Sequence, residues 1–280
     1  LAPAFAAETS CAPQATPAGR PDATEATGAT PSADRPRMVQ LEDDGSLRLS
    51  DGRRLVPMQV VLPVRFGADA PLWAGARAAV SNLAGVPLRL GATSTDRHGR
   101  LIGAAWLDDT SAGQNENGST GESLALALVR AGAAYADPTP ACTDSLLAAE
   151  DAARRTARGL WQAAGARPGT TDIEGLSARA GLFSVAEGRI LTVGVRRDRT
   201  YLNFGDSWRQ DFTVMMATAD FATIFGHGLD PAMLRGTMVR VRGVVREQGG
   251  PAMVVKTAAA VTRLVDDDTE RSADRRGKRQ

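Results

Sequence analysis

Two cysteines, two histidines and two tyrosines are all that 280 residues contain of those types. With His98 and His227 alone, and no Gly-x-Ser-x-Gly turn, a Ser- or Cys-based catalytic triad has almost nothing to draw on. Neither Cys11 nor Cys142 has a Cys or His neighbour at zinc-ligand spacing, which argues against a structural zinc. In an oxidising compartment the two would pair and tie the N-terminal segment to the first domain; two free thiols are the other reading. No stretch approaches the roughly 18 apolar residues of a membrane span. Aromatics are only 5% of the chain, and the net charge is +1.

The charge is unevenly spread. Residues 38–162 hold 12 Arg and no Lys against 14 acids, whereas residues 181–265 hold 11 basic residues against 7 acidic ones. The second half is the expected anion binder. Length favours two domains plus tails. Residues 1–7, with Ala4, Phe5 and Ala6 as an A-x-A site, read like the end of a secretory signal, so an exported protein, periplasmic or extracellular, is expected. Residues 8–37 are rich in Ala, Pro and Thr and too poor in large apolar groups to offset ordering entropy. Residues 1–37 are therefore read as signal remnant and disordered segment. Residues 163–180 read as a linker that leaves the relative placement of the domains open, and 266–280 as a charged disordered tail.

Between these boundaries the patterns alternate between strand and helix. Residues 46–50 alternate apolar and polar, Asp51-Gly52 is a hairpin dipeptide, and 55–62 is the return strand. Residues 70–84 keep helical spacing through Leu72, Ala76, Val80 and Leu83, with Asp69 as cap and Pro71 in the first turn. Strands follow at 86–91 and 101–107, and a short helix at 122–131. Residues 143–158 form the best helix, supported by Glu150/Arg154 and Asp151/Arg155 pairs and with Gly159 suited to its left-handed C-terminal position.

Five stretches in order carry a resemblance: Asp51-Gly52, Leu83-Ala84-Gly85, Asp96-Arg97-His98-Gly99-Arg100, Leu128-Val129-Arg130-Ala131-Gly132, and residues 146–161 ending in Arg158-Gly159-Leu160-Trp161. Residues 38–162 resemble the staphylococcal-nuclease (thermonuclease) family. The resemblance implies a five-stranded OB-type barrel with packed helices and a calcium-dependent phosphodiesterase site. It also implies that Asp43 keeps its place while the metal-binding and catalytic positions fall on Gly45, Val56, Val61 and Val64; only Arg100 remains to face a ligand. A shifted alignment instead reads 65–71 as the family's second carboxylate stretch. An active enzyme would then use calcium on Asp43, Asp44 and Asp69, with Arg100 on the phosphate; otherwise no cofactor is expected. Asp69 as a helix cap is the competing reading.

Residues 181–265 give the order strand-strand-strand-helix-strand-strand, that of an OB fold. Residues 201–205 and 234–243 resemble OB domains found behind some bacterial nuclease-like domains. The fold class expected for the whole chain is therefore β-rich α+β with two OB-type barrels. Arg196, Arg197, Arg199, Tyr201, Phe204, Trp208 and Arg209 interleave basic and aromatic groups, as a single-strand binding face does. Strand alternation places Tyr201 on the outer face and Phe204 in the core, and sets Arg240 and Arg242 outward as phosphate ligands. A solvated arginine-bearing sheet is the plain alternative. Three functions are compatible: a nucleic-acid or polyanion binder with a degraded nuclease site, an active metal-dependent nuclease, or an envelope scaffold for proteins or glycans.

Overall fold

The structure, a computed structural model, describes residues 35–108, 121–138, 143–207 and 210–264. The Cys11–Cys142 pairing, residues 1–34 and 266–280 of the two expected disordered ends, Trp208 and Arg209 lie outside the described residues. Residues 35–37, expected with the first of those ends, are instead ordered, with Arg37 bridged to Pro87 and Arg35 paired with Asp108 at 2.5 Å. The fold is mixed α+β and rich in strands, with a curled sheet and a few helices.

The first unit begins with β1 (Met38–Leu41), β2 (Leu47–Leu49), β3 (Arg54–Pro57) and β4 (Val60–Val61). The single return strand expected over 55–62 is broken at Gln59, whose φ is +69°. Then come α1 (Ala70–Ser81), β5 (Leu88–Thr95) and β6 (Leu101–Leu107), followed by α2 (Leu124–Arg130), β7 (Tyr135–Ala136) and α3 (Thr143–Arg155). The main sheet runs β1-β2-β3-β6-β5, with β3 and β6 parallel. A bridge between Arg37 and Pro87 brings its two edges together, so the sheet curls. Leu41, Leu47, Leu55 and Leu88 point inside the curl, where Leu72, Val80, Leu128, Tyr135 and Trp161 close the core.

Three glycines fix how the helices meet. A Cβ on Gly132 would lie 2.3 Å from the Arg158 carbonyl oxygen, and one on Gly159 would lie 2.2 Å from that of Gly132. A Cβ on Gly75 would lie 2.5 Å from the Gly159 oxygen. Backbone thus packs on backbone, sealed by Leu160 N–H donating to Gly132 O at 2.8 Å. Gly159 is left-handed (φ +54°), but it does not cap the helix directly: α3 stops at Arg155, Ala157 takes φ +48°, and Gly159 opens a 3-10 turn, Gly159–Gln162. The glycine serves close approach of chains more than helix termination.

The second unit comprises α4 (Ile173–Ser177), β8 (Phe183–Arg189), β9 (Thr192–Val195), β10 (Arg199–Asn203), β11 (Thr213–Ala217), α5 (Phe221–Phe225), β12 (Met238–Glu247), β13 (Pro251–Val254) and β14 (Val261–Arg263). Its strands pair in sequence β8 with β12, β12 with β13, β13 with β11 in parallel, β11 with β10, and β10 with β9. Only Ile190 and Leu191 separate β8 from β9.

The stretch expected as a connector is built into the fold. Ala166, Thr170 and Arg179 are buried, Gly169 bridges to Glu187, and α4 is capped by Asp172 accepting from Gly175 N–H at 3.0 Å. Phe183 and Val185 of β8 belong to the core of the first unit, with the Phe183 ring 5.4 Å from that of Tyr135.

That seam carries charges as well. Glu150 of α3, fully buried, accepts from Ala136 N–H at 2.9 Å through Oε1 and from Arg242 Nη1 through Oε2. Arg240 reaches Glu187 at 2.6 Å and Asp151 at 2.8 Å, and Arg154 reaches Glu187 at 2.8 Å. Burial first, then the Arg240 charge, lower the Arg154 pKa. Arg179 donates to Asp69 Oδ1 at 2.5 Å, to the Phe183 carbonyl at 2.7 Å and to the Ala68 carbonyl at 3.2 Å. Arg240 and Arg242 do share a face opposite Val239 and Val241, but that face is turned onto α3. The outward placement read from the sequence is corrected: alternation gives the face, and only tertiary packing gives its direction.

Candidate nucleic-acid interface and the nuclease-like cleft

Two places draw together the residues the sequence singled out. The first lies between the β1–β2 turn, the end of β4 and the β5–β6 hairpin. Asp44 Oδ1 accepts from Ser46 N–H at 3.0 Å and from Ser46 Oγ–H at 2.5 Å, which shapes the turn. Its Oδ2 accepts from Arg54 Nη1 and Arg100 Nη1, both at 3.2 Å. Burial acts to raise the Asp44 pKa, but the Ser46 hydrogen bonds and the two guanidinium charges outweigh it and lower the pKa overall. Arg100 is itself held by Asp96 at 2.8 Å. Asp96 Oδ1 also accepts from Arg100 N–H and His98 N–H, at 2.9 and 2.8 Å. Those hydrogen bonds, the Arg100 backbone one first, push the Asp96 carboxyl down to about 2. Arg54, which the sequence reading did not single out, lies two residues before Val56 on β3 and joins Arg100 on Asp44. The i, i+2 rule was its available signal.

Gly45 sits at φ +77°. A Cβ there would lie 3.2 Å from the Leu62 oxygen, 3.4 Å from Val64 Cγ1 and 3.5 Å from the Pro63 oxygen. Two of the positions that the resemblance assigns to the site, Gly45 and Val64, therefore adjoin in space. What they offer is two backbone carbonyls and a valine methyl. Calcium takes 6–8 oxygen ligands with carboxylates among them, so the residues present do not fit it.

The shifted alternative fares no better. Asp43 lies 3.5 Å from Arg65 at the exposed surface, Asp44 is engaged by Arg54 and Arg100, and Asp69 is buried against Arg179. Among the described residues no group of three or more His, Cys, Asp or Glu converges as a metal site. Asp69 does stand at the start of α1, yet its carboxylate caps nothing there; it accepts from Val64 N–H at 3.2 Å and pairs with Arg179. His98 and His227 are both exposed, and the His98 ring accepts from Arg97 Nε at 3.0 Å.

The second place is the outer face of β9, β10, β11 and β13. The burial of β10 alternates as the sequence implied: Thr200 and Leu202 point in, Arg199, Tyr201 and Asn203 point out. Phe204 is in the core, 5.3 Å from the Phe212 ring. The face bears a cavity of about 480 Å³ whose walls include Arg196, Arg199, Tyr201, Asn203, Asp211 and Met215. Arg197 is exposed but outside its lining. Among the described residues no carboxylate pairs with Arg196, Arg197 or Arg199, in contrast to Arg240 and Arg242. The sequence places Asn203 beside Tyr201 on one face, but not Asp211 and Thr213, whose convergence depends on the register of β10 on β11 and on a loop between them.

The family comparison falls on the first unit. The family model described as "Staphylococcal nuclease homologue" matches residues 74–163, which take in Gly75, Arg100, Gly132 and Gly159. No curated protein matches. Among solved structures, an aspartyl tRNA synthetase from Entamoeba histolytica aligns at 13% identity and a TM-score of 0.23, over 34% of this chain and 22% of that one. Over residues 74–163, then, the chain carries a staphylococcal-nuclease-like domain.

Proposed function

We propose that this protein binds single-stranded nucleic acid or a related polyanion through its second unit, on a nuclease-like first unit whose catalytic site has been retired. The observation that carries the second half is the Gly45 site. Where a calcium phosphodiesterase needs carboxylates, Gly45 adjoins Val64 and the Leu62 and Pro63 carbonyls, and Val61 is the other substituted position. Without a cation or a general base, nothing there activates water. Arg54 and Arg100 persist as anion-seeking groups, held by Asp44.

The circuit of strand pairings in the second unit, through the short β8–β9 joint, supports reading it as a five-stranded OB barrel. The unpaired arginines beside Tyr201 support that barrel as the binding face. Ala4, Phe5 and Ala6 support an exported location.

The test is incubation of the purified protein with labelled single-stranded DNA and RNA, in calcium, in magnesium and in chelator, alongside equilibrium binding at several salt concentrations. Binding that weakens with salt and no cleavage is the expected result. Chelator-sensitive cleavage abolished by Arg100→Ala would refute the retired site and favour the metal-dependent enzyme. Salt-insensitive behaviour with no binding at all would favour a protein- or glycan-binding scaffold.

A further inference from the structure

We infer that the cavity on the outer face of the second unit takes a nucleoside phosphate, base included, rather than anionic charge alone; this rests on the binding reading above and narrows it. The strand register arranges the face in rows. Arg196 and Arg199 stand together at one end, linked by Arg196 N–H donating to the Arg199 carbonyl at 2.8 Å. Two residues along, Gly194, Tyr201 and Met215 lie side by side. Two further on come Thr192, Asn203, Thr213 and Ala252. Each step is about 6.6 Å along the strands, from a rise of about 3.3 Å per residue.

The rows differ in chemistry. The first is cationic. The second is flat and largely apolar: Tyr201 presents a ring, Met215 a polarizable thioether that packs well on π-faces, and Gly194 no side chain at all. The nearest atom to a Cβ built on Gly194 is Tyr201 Cβ at 3.9 Å, so the space beside the ring is open because that position is glycine. The third is polar and uncharged. Asn203 Nδ2 donates to Thr192 Oγ1 at 3.0 Å and Oδ1 accepts from Thr213 Oγ1 at 3.4 Å, which orients the amide and leaves one N–H and one lone pair unused. Beyond it lie Gln248 and the carboxylate of Asp211, the latter fixed by Ser207 N–H.

A featureless polyanion wants cations distributed along its path and no carboxylate at the far end. This face has two arginines at one end and Asp211 at the other. A nucleoside phosphate matches the gradient: phosphate on Arg196 and Arg199, base on Tyr201, base edge toward Asn203 and Asp211, whose acceptors suit an exocyclic amino group. About 480 Å³ is within the range of a small-ligand site.

The test is a binding series with the full chain: an oligonucleotide, an abasic strand of equal length and charge, inorganic polyphosphate, and nucleoside monophosphates. The oligonucleotide should bind about 10-fold more tightly than the abasic strand. That factor, about 1.4 kcal/mol, lies at the lower end of what stacking one base contributes. With two phosphate-contacting arginines, log K should fall with log salt at a slope of about −1.4. Arg199→Ala should make it shallower by about 0.7. Gly194→Val is the variant of choice, because a β-branched residue suits a strand, its Cβ meets nothing closer than 3.9 Å, and its methyls cover the space beside the ring. It should reduce oligonucleotide affinity to that of the abasic strand.

Monophosphate binding that competes with the oligonucleotide and is lost in Gly194→Val would identify a free nucleotide as the source. Binding of the oligonucleotide alone would identify a strand. Either supports the inference. Equal affinity for oligonucleotide, abasic strand and polyphosphate would overturn it while leaving polyanion binding intact. No binding of any of them would overturn both.

Discussion

Replacing Glu150 by Gln removes one charge from the seam between the units and leaves its shape. Glu150 is fully buried and Arg242 is 2% exposed, so neither can turn to water when its partner is lost. The Gln amide still accepts from Ala136 N–H, but Arg242 is left as a buried cation without its counter-charge. Breaking one side of such a pair costs about 3–5 kcal/mol. For a folded body of this size each kcal/mol moves Tm by about 2–4 °C, so a drop of about 6–20 °C is expected. The double variant Glu150→Gln, Arg242→Met should recover much of the loss, because an apolar side chain asks for no counter-charge. Urea denaturation, followed by Trp fluorescence and by far-UV circular dichroism, measures both. Phe183 and Val185 join the first core, so both probes should report one transition. A single-variant loss under about 1 kcal/mol, a double variant no better than the worse single, or two separated transitions would refute the claim that this pair ties the units together.

Other outcomes follow from the same geometry. Gly159→Ala places a Cβ 2.2 Å from the Gly132 oxygen at a left-handed residue, and should cost about 1–3 kcal/mol by thermal denaturation. Calcium at millimolar concentration should leave Tm within about 1 °C, whereas a site filled at 100-fold its Kd would add about 2.7 kcal/mol. Asp96 is held at about 2, below its unfolded value, so its contribution to stability is present above about pH 4 and is lost as pH falls through 2. Comparing wild type with Asp96→Asn from pH 6 to pH 2 should therefore show a stability gap that closes on acidification. A gap that persists at pH 2 would contradict the assignment.

Elements with strong local patterns are legible in the sequence alone. The α1 periodicity after Asp69-Ala70-Pro71, the Asp51-Gly52 hairpin and the tyrosine-outward alternation of β10 all depend on neighbours in the chain. What fails to show is whatever depends on a distant partner. Arg240 and Arg242 alternate like surface residues, and no local feature reveals that α3 lies over them. Asp69 looks like a cap or a ligand because its partner, Arg179, is 110 residues away. The stretch over 163–180 has the composition of a connector, yet Ala166, Leu176 and Arg179 find buried sites prepared by other segments. At the cleft, that Gly45 and Val64 adjoin rests in the sequence on the resemblance alone, and the Cβ geometry gives the adjacency a physical basis.

The seam also constrains which parts of the chain can be exchanged. Arg179, Arg240 and Arg242 from one unit, and Asp69, Glu150 and Asp151 from the other, form a matched set of buried or half-buried charges. Shuffling either unit into another chain would strand its half of that set, and Phe183 and Val185 with it. Replacing one unit while keeping the other would therefore leave charges and apolar side chains on the retained side without their partners.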